Sequence, residues 1–130
     1  MEKNVEVIRQ VSDRLNAGDV DGMLELYHDD IVLYPGEHWP DTKPVEGIAA
    51  FRESTEDWLS VWQAIELETD EVEAFGDRVV AHGCWRTTGR VSGVDGTMPI
   101  HIVFTVRDGR IARLEWFEDH ASAVAAARGA

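Results

Sequence analysis

Basic residues are scarce in this sequence: 12 Lys and Arg stand against 25 Asp and Glu, a formal net charge of −13. Nucleic acids and anionic membrane surfaces are held by clustered cations, so neither is an expected partner. Cysteine is scarcer still. Cys84 stands alone, which excludes an intrachain disulfide and any metal centre built from thiolates. No apolar run approaches the roughly 20 residues needed to span a bilayer, and the Met-Glu-Lys-Asn-Val start has no basic stretch leading into an apolar one. The expectation is a soluble cytoplasmic protein. Proline is rare: of four, Pro35, Pro40 and Pro44 gather in one stretch and break it, and only Pro99 stands elsewhere.

What is present fits a single globular domain over 1–130. The chain is 44% hydrophobic, too rich for disorder and long enough to bury a core. Val5, Ile8, Val11 and Leu15 recur at helical spacing over 2–17, and Gly18 closes that helix. Asp19 is a natural N-cap for a shorter helix reaching Tyr27, with Val20, Met23, Leu24 and Tyr27 on its inner face. Ile31 to Tyr34 reads as a short strand, and Pro35 to Pro44 as irregular. Pro44 opens a helix to about Gln63, striped by Ile48, Phe51, Trp58, Leu59 and Trp62.

Beyond it the pattern changes to period two. Strands are expected over 66–75 and 78–90, then a hairpin from Thr97 to Glu118 folded at Arg107-Asp108-Gly109. Alternation puts His101, Val103 and Thr105 on one face of the first hairpin strand, with Ile100, Ile102 and Phe104 on the other. It puts Leu114, Trp116 and Glu118 together on the second. On strand 78–90 it groups Val80, His82, Cys84 and Arg86 apart from Val79, Ala81, Gly83 and Trp85. The faces carrying His101 and Glu118 mix an ionisable residue with apolar ones, which suits a sheet around a cavity, so these are expected to face inward. Asp119 caps a short Ala-rich helix ending at Gly129. Helices followed by antiparallel strands indicate an α+β fold with helices on one face of a curved sheet.

Leu15-Asn16-Ala17-Gly18-Asp19-Val20-Asp21-Gly22, Tyr27-His28-Asp29-Asp30 and Gly47-Ile48-Ala49-Ala50-Phe51-Arg52-Glu53, in this order of elements, resemble the NTF2-like superfamily, and within it the SnoaL-like and ketosteroid-isomerase-like proteins. The resemblance spans nearly the whole chain. It implies a cone-shaped α+β barrel, a curved mixed or antiparallel sheet with N-terminal helices enclosing a blind pocket, and a homodimer. It does not imply one activity, because the fold carries isomerases, dehydratases, cyclases and non-enzymes.

Carried over residue by residue, Met98-Pro99-Ile100-His101 resembles the segment holding the oxyanion-hole aspartate of steroid isomerases, with His101 in its place. Their base would fall at Tyr34 or Pro35 and their tyrosine at Val11, so steroid isomerisation is not expected. An epoxide-hydrolase Asp-Arg-Asp set is also missing: Arg86 can match the arginine, but Trp116 stands where an aspartate is needed.

The candidate chemistry follows. His101 and His82 are expected to be acid–base groups, since imidazoles titrate near neutrality, and Arg86 to hold a developing oxyanion. Tyr34, Trp58, Trp62, Cys84, Leu114, Trp116 and Glu118 are expected to line the substrate pocket. The bland alternatives stay open: structural histidines, an internal Arg86 ion pair, a solvated Glu118. His82, His101 and Glu118 have the right ligand types for a metal, but the resemblance implies neither metal nor cofactor. Trp85 and Phe117 are expected outside, as a dimer surface. Two functions fit: a cofactor-independent lyase, isomerase or cyclase acting on a hydrophobic or polycyclic molecule, or a non-catalytic ligand-binding or dimerisation module.

Overall fold

Apolar residues three and four apart build α1 (Glu2–Asn16), in which Ile8 and Val11 are buried. Gly18, at φ 79°, ends it in the left-handed conformation that glycine adopts without strain. The computed structural model describes residues 2–35 and 43–129, so the irregular segment expected between Pro35 and Pro44 lies mostly outside the described residues. Asp19 caps α2 (Val20–Leu24) by accepting from the Gly22 amide at 2.8 Å. The remaining elements are β1 (Tyr27–Tyr34), β2 (Val45–Glu46), α3 (Ile48–Ser60), β3 (Trp62–Phe75), β4 (Arg78–Gly89), β5 (Asp95–Arg107), β6 (Arg110–Phe117) and α4 (His120–Ala127).

Three boundaries differ from the sequence expectation. The second helix stops at Leu24, and β1 begins at Tyr27 because that residue pairs with Ile111 of β6. The third helix starts after Gly47, whose φ of 88° is non-helical, and ends at Ser60. Trp62 therefore opens β3 instead of closing a helix, since it is already paired with Gly89.

The strands form one sheet in the order β2-β1-β6-β5-β4-β3, antiparallel throughout except between β1 and β6. Asp108 (φ 53°) and Gly109 (φ 80°) are both left-handed, the geometry a tight two-residue hairpin requires. Register shifts interrupt β3 beside β4, and such bulges increase local twist and bend the sheet. Asn16 fastens α1 to β3, the last strand of the sheet. Its side chain donates to the Leu67 carbonyl and accepts from the Leu67 amide, both at 2.8 Å, so an exposed strand edge is partly sealed. Ser12 and Thr69 add a hydroxyl contact at 2.7 Å.

Both faces of the sheet bury apolar side chains. On one face α1, α2 and α3 gather Ile8, Val11, Met23, Phe51, Leu67, Trp85, Ile100, Ile102 and Phe104. On the other, α4 lays Ala123 and Ala127 over Val80 and Val103, both 0% exposed, with Phe75 and Phe117 beside them. The helices are thus not confined to one face. The C-terminal helix crosses to the back, and that placement decides which side chains can reach the cavity.

Candidate functional site

A cavity of about 480 Å³ lies between α1, α3 and the helix-covered face of the sheet. Its wall is mostly apolar. Val11 and Leu15 come from α1, and Leu67 and Trp85 from β3 and β4. Ile100, Ile102 and Phe104 come from β5, and Leu114 and Trp116 from β6. One face of α3 contributes Phe51, Ser54, Thr55 and Trp58, the i, i+3, i+4, i+7 spacing that stacks side chains along a single helical stripe. Trp58 stands edge-on to Trp85, with ring centroids 5.9 Å apart, which makes two aromatic sides of one chamber.

Polar groups occur at two levels. Tyr27 sits in the buried wall at 3% exposure, its ring 4.7 Å from that of Phe51. Burial pushes its phenol pKa well above the usual value, so the hydroxyl stays protonated near neutral pH. Lys43 and Glu118 line the cavity from exposed positions, at its rim. Glu118 is the one carboxylate among the described lining residues.

Trp58, Leu114, Trp116 and Glu118, all expected from the sequence to line a pocket, do border this cavity. The expected catalytic set does not. His82, His101 and Arg86 project from the opposite face, as does Cys84, because alternation commits them all to the side that carries Val80 and Val103 under α4. The inward positions are Ile100 and Ile102, so an alignment placing His101 in the cavity is one residue out. Tyr34 is likewise on the back of β1, since its neighbour Leu33 lines the cavity. The Arg113 guanidinium lies 4.4 Å over the Tyr34 ring. Trp62 borders Trp58, ring centroids 5.5 Å apart, but is not in the lining. Trp85 is 9% exposed and faces inward, and Phe117 packs beneath α4. The expected outer dimer patch of these two aromatics is therefore absent among the described residues.

The displaced residues have their own arrangement. His82 and His101 are direct cross-strand partners with Nδ1 atoms 2.9 Å apart, and His120 from the first turn of α4 stacks on His82 at 3.8 Å. Burial lowers the His82 pKa first, and the neighbouring imidazoles of His120 and His101 lower it further, against the opposing pull of Glu71 and Glu73. Arg86 is exposed and pairs with Glu68 on the adjacent strand, a bond that raises the guanidinium's pKa. Glu118 lies on the cavity side, so the three metal-ligand types noted in the sequence do not meet. No group of three or more His, Cys, Asp or Glu among the described residues is arranged to hold a metal.

Tyr27, Ser54 and Thr55 were not singled out from the sequence as site residues. Ser54 and Thr55 had a signal, since they share the helical stripe of Phe51 and Trp58. Tyr27 did not, because its role depends on β1 starting there.

A SnoaL-like domain profile matches residues 8–114. By sequence, no curated protein matches the chain. Solved structures match over nearly their full length. An NTF2-like protein of unknown function from Burkholderia pseudomallei superposes with a TM-score of 0.79 at 20% identity, covering 96% of this chain and 97% of that one. TerC, co-crystallised with polyporic acid, gives 0.77 at 24% identity with 98% and 99% covered. A proposed SnoaL-like polyketide cyclase from a Jannaschia species gives 0.78 at 20% identity with 99% and 94% covered. At these identities the structures speak for the fold alone. With the profile spanning most of the residues and the sheet, helices and cavity arranged as described, the chain has the NTF2-like fold and belongs to the SnoaL-like family.

Proposed function

We propose that the chain binds a planar, largely apolar small molecule in the cavity and acts on it, without a cofactor, by proton transfer at the cavity mouth. The observation that carries the reading is the lining: an apolar chamber of about 480 Å³ walled by Trp58, Trp85 and Trp116, with Lys43 and Glu118, the charged groups among the described lining residues, at its rim. A chamber of this size suits a compact ring system, and aromatic walls favour flat ones. The likeness in fold to a protein co-crystallised with polyporic acid supports a small-molecule role. Proton transfer falls to Glu118 because it is the carboxylate among the described lining residues, and the chemistry is of the lyase, isomerase or cyclase kind.

The test has two parts. Saturable quenching of tryptophan fluorescence by 9-fluorenone, weakened at least about tenfold by Ser54→Phe, which pushes a ring into the empty space, is the expected binding result. For turnover, 2-tetralone is incubated in D₂O and its α-deuteration followed by NMR. Wild type should exceed buffer, and Glu118→Gln should lose about 10²-fold or more. Binding without enhanced exchange would favour the second reading, a non-catalytic ligand-binding module. The back-face placement of His82, His101 and Arg86 supports that alternative.

A further inference from the structure

Three histidines meet on the back of the sheet, where α4 docks. His82 and His101 are cross-strand partners whose Nδ1 atoms lie 2.9 Å apart, which leaves room for one proton between them: one ring donates and the other accepts. His120, the first residue of α4, stacks its ring on His82 at 3.8 Å with an interplanar angle of 22°. Each neighbouring element adds its own groups around the trio. β3 brings the exposed carboxylates of Glu71 and Glu73, and Asp119 stands next to His120 at the start of α4. β6 sets the uncharged Phe117 beside His101, and along β4 the next residues on this face are Val80 and Cys84.

We infer that protonation of this cluster releases the N-terminal end of α4 from the sheet, which makes the helix a pH-sensitive flap over Val80 and Val103. The helix is lightly held. Its buried residues are Ala123 and Ala127, and its far end is tied by a bond from Arg78 to the Ala126 carbonyl at 2.7 Å and by Arg128 over the Phe75 ring at 5.5 Å. Its near end rests on the histidines. One ring of the His82–His101 pair can become cationic and keep the shared bond, but both cannot, because two N–H groups would then face each other across 2.9 Å. Charging both His82 and His120 sets one imidazolium on another in the stack. The partial positive charge of a helix N-terminus adds to the repulsion. Glu71, Glu73 and Asp119 oppose it, but Asp119 is engaged by the Ser122 amide and the two glutamates are solvated.

The direction follows from linkage. Burial, then His120, then His101 lower the His82 pKa from its ordinary 6.5 while α4 is docked. Release relieves that depression, so docking is complete above about 6.5 and weakens as pH falls from there toward the docked value. An imidazole that titrates at about 6.5 when α4 is free, and stays neutral while it is docked, raises the released population about tenfold between about pH 7.5 and about pH 5.5. What release uncovers is apolar: Val80 and Val103, with Phe75 and Phe117 beside them.

The experiment is native-state amide exchange over this pH range, with each rate corrected for the intrinsic pH dependence of exchange. In wild type the protection of α4, read at the Ala123 amide that bonds to the Asp119 carbonyl, should fall about tenfold. It should depend little on low urea, since lifting a short helix exposes little surface. In His82→Gln, whose side chain takes up no proton, it should stay within about twofold. A readout that needs no variant is the His82 ring itself, whose titration by NMR should lie below about 6.5 in wild type. Protection of α4 that is equal at both pH values, or that falls as far in His82→Gln, overturns the inference, and so does a His82 ring titrating at or above about 6.5. A fall shared with the α1 amides at the same urea dependence is unfolding of the whole domain and overturns it too.

Discussion

β3 departs from a regular ladder beside β4, and at that point Gly83 lies close against the β3 backbone. A Cβ built on Gly83 would lie 1.9 Å from the Glu68 carbonyl oxygen and 2.9 Å from the Thr69 Cα. Both are backbone atoms, so no rotamer change can relieve the clash. The contact sits at the register shift between Thr69 and Glu71, where β3 departs from a regular ladder. Gly83→Ala must therefore push the two strands apart or distort the bulge. Overpacking ordinarily costs about 1–3 kcal/mol, and a backbone collision belongs at the upper end, about 3 kcal/mol. For a domain of this size each kcal/mol moves the midpoint by about 3–4 °C, so Tm should fall by about 10 °C. Urea denaturation should show a lower midpoint with an unchanged slope. Trp85, two residues on and in the cavity wall, would shift with the strand, so fluorenone binding should weaken as well. A Gly83→Ala protein melting within about 1 °C of wild type would refute the close approach of the two strands.

Four further outcomes are expected. His82→Ala and His101→Ala should leave fluorenone affinity within about twofold of wild type, because both side chains are behind the sheet; a tenfold loss in either would return them to the cavity. His82 takes up its proton at higher pH in the unfolded chain than in the native one, whose pKa is lowered from 6.5. Stability should therefore be complete above that value and decline as pH falls through it toward the native pKa, and urea midpoints between pH 7.5 and 5 should show a shallower decline in His82→Gln. Asn16→Ala removes both bonds to the Leu67 backbone and should cost about 2 kcal/mol at about 1 kcal/mol per hydrogen bond, with faster amide exchange at Leu67. Asp119 accepts from the Ser122 amide at 2.7 Å, a bond that holds its carboxyl pKa below the usual range. Asp119→Ala should lower the melting midpoint and increase amide exchange along α4.

Local chemistry in the sequence was enough for the order of the longer elements and for the points that punctuate it; the two-residue β2, which exists by pairing with β1, fell inside the stretch expected as helix. Asp19 and Asp119 cap helices because a short carboxylate reaches the amide three residues on, and Gly18 and Asp108-Gly109 turn the chain because they accept positive φ. Period-two alternation also settled which side chains travel together: His82 with Cys84 and Arg86, and Ile100 with Ile102 and Phe104. Alternation divides a strand into two faces but carries no sign. Here both faces are buried, one by the cavity and its helices and the other by α4, so apolar content could not say which was inner. That sign was set by the return of the C-terminal helix across the back of the sheet, where Ala123 and Ala127 are small enough to lie on Val80 and Val103. The same tertiary decision moved the histidines out and brought Trp85 in. It also left Tyr27, a residue whose place follows from pairing with the distant Ile111, as the hydroxyl in the buried wall.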